Sequence, residues 1–148
     1  MTLEDLRARV GQEIGVSKWR TIEQEQINRF AAVTGDDQWI HIDVERARRE
    51  SPYEKTIAHG FLTVALISGL AREAVNITSD AKMRINYGFN RLRFPSAVPA
   101  GSRVRARFTL NSIKDFDGGV EIAWGVSVEV EGREKPALVA EWLVRTYY

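Results

Sequence analysis

Apolar and polar residues alternate with a period of two through the C-terminal half of the chain. Met83, Ile85, Tyr87 and Phe89 fall on one phase and Leu92 and Phe94 on the other, and the change of phase near Gly88 predicts a strand carrying a bulge. Pro95 and the run Pro99-Ala100-Gly101 end it. Val104, Ala106, Phe108 and Leu110 then alternate, Asp117-Gly118-Gly119 makes a hairpin turn, and Val120, Ile122, Trp124, Val126, Val128 and Val130 give the cleanest two-residue repeat. Glu131-Gly132-Arg133 turns again before Leu138, Ala140, Trp142 and Val144. The expected product is four consecutive antiparallel strands.

The N-terminal half has a different rhythm. A short helix is expected within residues 1–12 and a strand from Glu13 to Trp19. Thr21-Ile22-Glu23-Gln24 has capping-box spacing, and Ile27, Phe30, Ala31 and Thr34 follow on one helical face until Gly35 ends the helix. Asp36 to Ile42 reads as a loop, and Asp43 caps a charged helix that closes at Ser51-Pro52. Residues 60–71 place Phe61, Leu62, Val64, Ala65, Leu66, Ile67 and Leu70 on every face, which predicts a helix enclosed all round. The expected architecture is α+β: one domain over residues 1–148, with an antiparallel sheet wrapped around a central buried helix at about residues 60–72.

Composition narrows the functional classes. A net charge of +1 supplies no global field for nucleic acid or an anionic membrane. The absence of cysteine removes disulfides, thiolate metal sites and cysteine nucleophiles. The longest uncharged apolar run, Gly60 to Ala71, is too short to span a bilayer, and Met1 to Val10 has no signal-peptide core, so a cytoplasmic protein is expected. Arg103, Arg105 and Arg107 share one strand face, with Arg91 and Arg93 before them. A solvated outer face is the expected role of most of these five, and a phosphate-bearing ligand along that edge is the alternative.

Chemistry concentrates around the chain's two histidines, in Thr34-Gly35-Asp36-Asp37-Gln38-Trp39-Ile40-His41 and Ile57-Ala58-His59-Gly60. Asp36 and His41 lie on one short loop, where a carboxylate and an imidazole can share a water as acid and base. The same spacing also fits an ordinary loop hydrogen bond or helix cap. Gly60 begins the apolar helix, where free amides and the macrodipole favour a developing negative oxygen; the alternative is that its missing side chain only permits close packing. His59, just ahead of the helix, is expected to be a structural capping residue. No zinc spacing, Gly-rich phosphate loop or nucleophile elbow occurs.

Thr34-Gly35-Asp36 with His41 and Asp43, followed by Ile57-Ala58-His59-Gly60 and an apolar helix, resembles the MaoC-like R-specific 2-enoyl-CoA hydratases. The Asp37-to-His41 wording and the stretch Asn86-Tyr87-Gly88-Phe89-Asn90-Arg91-Leu92-Arg93-Phe94-Pro95 resemble its NodN-like subgroup. The resemblance implies a hot-dog fold, a homodimer and a coenzyme A thioester as substrate, with no metal and no other cofactor. By position it assigns catalysis to Asp36 and His41, leaving Asp37 out of register by one. It assigns the thioester carbonyl to the Gly60 backbone amide, and substrate contacts to Gln38, Trp39, Ser68, Arg91 and Arg93. Better-known members carry Asn-Pro at Gln38-Trp39, a difference that bears on acyl-chain preference. An acyl-CoA thioesterase or a non-catalytic acyl-thioester-binding protein of the same fold is the alternative. The former typically carries a carboxylate on the central helix, and residues 61–71 have none.

Overall fold

Alternate side chains of three long strands enter one core, as the period-two pattern requires, and a fourth long strand closes the edge of the sheet. In the computed structural model, which describes residues 1–148, these strands are β3 (Met83–Arg93), β4 (Arg103–Phe116), β5 (Gly119–Val130) and β6 (Leu138–Tyr147). Val104, Ala106, Phe108 and Leu110 of β4 are buried, as are Val126, Val128 and Val130 of β5 and Leu138 of β6. β1 (Glu13–Val16) and β2 (Arg20–Thr21) both pair with β4. The sheet is antiparallel throughout, in the order β1-β4-β5-β6-β3. The bulge expected near Gly88 is present between Asn86 and Gly88, and a second follows between Phe89 and Arg91.

The helices are α1 (Leu3–Arg7), α2 (Gln24–Thr34), α3 (Trp39–Ile42), α4 (Val44–Glu50) and α5 (Gly60–Ala74). α5 lies in the curve of the sheet, with Leu62, Thr63, Ile67 and Leu70 buried. At its far end, β1 approaches so closely that a Cβ on Gly15 would fall 1.9 Å from the Ala74 carbonyl oxygen. This is the expected α+β sheet wrapped on a helix.

Three local expectations need correction. The helix is enclosed on one side: Phe61 is 67% exposed, and Ala65 and Gly69 on the same row of turns are also open. Its lack of charge reflects an apolar surface, and β3, an edge strand, exposes Met83, Ile85 and Tyr87 as well. α2 begins three residues beyond Thr21, because Gln26, not Gln24, accepts from the backbone of the N-cap residue, Glu23, at 2.9 Å. The loop after Gly35 contains one helical turn, α3.

The outer arginines are satisfied within the sheet. Arg105 meets Glu129 at 2.7 Å, Arg107 meets Glu129 at 2.5 Å and Glu13 at 3.2 Å, and Arg103 meets Glu131 at 3.1 Å. Arg105 also lies over the Trp19 ring, 4.4 Å from its centre. These charges form the solvated ladder expected of an outer face, each arginine already paired with a carboxylate.

Candidate active site

Gly35 takes the left-handed conformation at the end of α2, with φ 79°, and turns the chain out of the helix. Two residues of extended loop then lead through Gln38 into the single turn of α3, which delivers His41 inward. His41 is 7% exposed, while Asp36, Asp37 and Gln38 are exposed. Burial of one member and exposure of the other is the first geometric fact about the pair.

The segment before α5 fixes His41. Its Nδ1 lies 2.7 Å from the Ile57 carbonyl oxygen, and since that oxygen can only accept, Nδ1 carries the proton and Nε2 keeps a lone pair. The Ile57 amide donates back to the Ile40 carbonyl at 3.0 Å, so one residue grips α3 twice. Ala58 donates to Val98 and Ala100 donates to Thr56, which ties the segment to the chain ahead of β4. Gln24 of α2 adds a further hold, donating from Nε2 to the His41 carbonyl at 2.8 Å and accepting from the buried Thr56 hydroxyl. Sequence reasoning missed Gln24, having read it as a capping residue.

Desolvation by the surrounding protein is the main cause that lowers the His41 pKa, and the neighbouring His59 adds to it. The Ile57 hydrogen bond and the Asp36 charge oppose the shift without reversing it. The imidazole is therefore neutral at neutral pH, with Nε2 free to accept a proton.

His59 departs from expectation. It occupies the N-cap position of α5, but its side chain does not cap the helix. Instead its Nε2 donates to the Asp36 backbone carbonyl at 2.8 Å, and its ring stacks on His41 with centres 3.8 Å apart and planes 23° from parallel. Phe30 of α2 packs against the same ring at 4.9 Å. His59 is 2% exposed and its Nδ1 has no partner. Such an orphaned acceptor costs about 1–3 kcal/mol.

One carboxylate oxygen of Asp36 and one ring nitrogen from each histidine lie within 4.8 Å of one another. This trio resembles a metal-ligand set in composition, but the stacked rings are nearly parallel, so their lone pairs do not converge on a point as tetrahedral ligation demands. A small polar molecule such as water, accepting and donating at once, suits the arrangement better.

Gly60 adds an electrophilic corner. Neither its amide nor that of Phe61 makes a hydrogen bond within the protein, as befits the first turn of a helix, and the 15 residues of α5 align their dipoles behind it. The Phe94 ring leans over this corner, where a Cβ on Gly60 would meet it at 3.1 Å. α5 has one carboxylate, Glu73, and it is held by Arg20 at 2.6 Å.

The remaining residues divide by place. Trp39 begins α3 half-buried, with the Arg46 guanidinium 4.2 Å above its ring, and Gln38 is the N-cap residue beside it. Asp37 lines a shallow depression with Asn28, Ala32 and Ile42, away from the histidine stack. Ser68 lines a separate cavity of about 450 Å³, whose floor is Trp124, Trp142 and Val144, and none of Asp36, His41, His59 or Gly60 borders it. Arg91 and Arg93 are exposed on β3 and neither forms an ion pair; Arg93 donates to the Leu92 carbonyl at 2.8 Å. The structure thus gathers Asp36, His41 and Gly60 around His59, with Ser68 and the β3 arginines lying elsewhere on the chain.

No helix is long and apolar enough to cross a membrane. The model of the MaoC-like domain matches residues 5–132. The chain is 48% identical over 145 residues to 3-hydroxyacyl-thioester dehydratase Z of Mycobacterium tuberculosis, covering 97% of this chain and 95% of that one. It is 46% identical over 144 residues to nodulation protein N of Rhizobium meliloti, covering 97% and 89%. Among solved structures, the unliganded R-hydratase of Pseudomonas aeruginosa superposes with a TM-score of 0.70 at 25% identity, over 93% of this chain and 81% of that one. A hot-dog sheet curled on its helix, the Asp36–His41 pair and these matches agree: the chain belongs to the MaoC-like dehydratase family.

Proposed function

We propose that this protein is a hydro-lyase that adds water reversibly and with syn geometry to a trans-2-enoyl-CoA, giving an (R)-3-hydroxyacyl-CoA. The observation that carries the reading is the grouping of a carboxylate, a neutral imidazole with a bare Nε2, and an unpaired helix-terminal amide. The names of its dehydratase and R-hydratase relatives support it.

In the reaction, the Asp36 carboxylate and His41 Nε2 hold one water between them. Asp36 takes a proton as the water oxygen bonds to carbon 3, and the carbon–carbon π electrons move toward the thioester carbonyl. The Gly60 N–H and the positive end of α5 stabilise the enolate oxygen that forms. Returning the proton to carbon 2 on the same face completes syn addition and regenerates the carboxylate, with His41 orienting the water and sharing the transfer. The chemistry requires no redox group or metal.

The substrate contacts follow the same reading. Gln38 and Trp39 line the approach to the pair, the Ser68 cavity takes acyl tail, and Arg91 and Arg93 meet the coenzyme A phosphates. A second copy of the chain pairs along β3 in a homodimer, which covers Met83, Ile85 and Tyr87, an exposed apolar edge of the kind soluble proteins avoid leaving open.

Incubation with crotonyl-CoA tests the activity by following enoyl absorbance and free thiol together. Loss of absorbance without thiol release is expected. Thiol release would mean a thioesterase, and binding without turnover would mean a non-catalytic acyl-thioester protein.

A further inference from the structure

We propose that His59 is the positioning residue of the reacting pair, holding the Asp36 loop through one ring nitrogen and the His41 imidazole through its face. The proposal rests on the hydratase reading for its kinetic consequences, while its structural claim stands on the ring itself.

Two restraints define an imidazole's pose: one in the ring plane and one across it. His41 has the first from the Ile57 carbonyl, 2.7 Å from Nδ1, and this bond alone leaves the ring free to rock about it. The second comes from His59, stacked at 3.8 Å. Together they aim Nε2.

Asp36 depends on the same ring. Its side chain is exposed, and its own amide makes a long 3.3 Å contact to the Thr34 hydroxyl. The 2.8 Å bond from His59 Nε2 to the Asp36 carbonyl ties this loop to the start of α5. Since a carbonyl can only accept, the bond sets the His59 tautomer with the proton on Nε2. The next residue along the chain is Gly60. One ring therefore sets carboxylate, imidazole and amide relative to one another.

The buried, unpartnered Nδ1 argues that this residue is not packing filler. A phenylalanine would fill the volume against Phe30 and His41 without an orphaned acceptor, and a glutamine would donate to Asp36 without a stacking face. Histidine does both. The titratable groups facing it are His41 from α3 and Asp36 from the loop before it; α2 presents the apolar Phe30.

The two functions can be separated in the full-length protein. His59→Phe keeps a ring on His41 and removes the donor, whereas His59→Gln keeps a donor and removes the ring. In either variant His41 is the chain's sole histidine, so its proton titration is read by NMR without ambiguity. His59→Phe is expected to lower kcat about 10²-fold with little change in KM, because the loop loses its tether, and to raise the His41 titration only slightly, since the charge effect of His59 goes but the ring stays covered. His59→Gln is expected to move both the His41 titration and the acid limb of kcat/KM to higher pH, as water reaches the uncovered ring.

Nitrogen-15 NMR of the unmodified protein provides a check independent of variant folding. It should show a proton fixed on His59 Nε2 and none on Nδ1. A proton on Nδ1, rapid tautomer exchange, or identical pH behaviour of the two variants would overturn the proposal. If the unmodified protein fails to hydrate enoyl-CoA but the NMR results hold, the activity is wrong and the positioning survives.

Discussion

The two members of the proposed reacting pair are built in opposite ways. His41 is buried, held through its carbonyl by Gln24, through its ring nitrogen by Ile57 and across its face by His59, and its pKa is pushed down chiefly by desolvation. Asp36 presents an exposed carboxylate on a loop anchored through its backbone carbonyl. One half is locked inside the fold; the other remains open to solvent. Stability and activity should therefore respond differently when each is altered.

The sharpest break in this symmetry is mutational. Asp36→Asn and His41→Gln should each reduce hydration by about 10²–10⁴-fold, read from initial rates on crotonyl-CoA. Asp36→Asn should leave the melting curve within about 0.5 kcal/mol of the unmodified protein, since its side chain is exposed. His41→Gln should also lose about 1–3 kcal/mol, because the Ile57 carbonyl loses a well-placed donor inside the fold. Equal melting shifts would contradict the contrast.

Gly60→Ala tests the third corner. Its Cβ would crowd the Phe94 ring, displacing either that ring or the helix start and reducing kcat about tenfold. Phe94→Leu in the same chain should restore part of the loss, measured by the same assay. Gln24→Ala probes the rigid half from a distance: loss of its links to His41 and Thr56 should cost about 1–2 kcal/mol in a denaturant titration. Activity should fall several-fold with it.

The smallest effect is in pH. The folded His41 pKa lies below its unfolded value of about 6.5, so the unfolded chain binds the extra proton first as pH falls. This contribution is fully present above about pH 6.5 and is lost as pH descends toward the folded pKa, at no more than about 1.4 kcal/mol per pH unit. His41→Gln should flatten that part of the stability curve.

How much of this could be read beforehand depends on range. Strand alternation, the bulge at Gly88, the stop at Gly35 and the cap at Asp43 are local signals, and each appears in the fold. Asp36 and His41 stood out because five residues bring them together with little tertiary help. Gln24 did not, because its partners His41 and Thr56 are 17 and 32 residues away, and its local pattern pointed to a cap. His59 was misread for the same reason: its partner is a backbone carbonyl, which leaves no mark in the sequence. The one-sided burial of α5 was hidden because an apolar helix face reads alike in the sequence whether or not the sheet covers it.

A double-mutant cycle on Asp36→Asn and His41→Gln addresses the central claim most directly. If the two side chains act on one water, the double variant should hydrate crotonyl-CoA about as slowly as either single variant. Losses that multiply across the cycle, or single variants that retain full turnover, would contradict it.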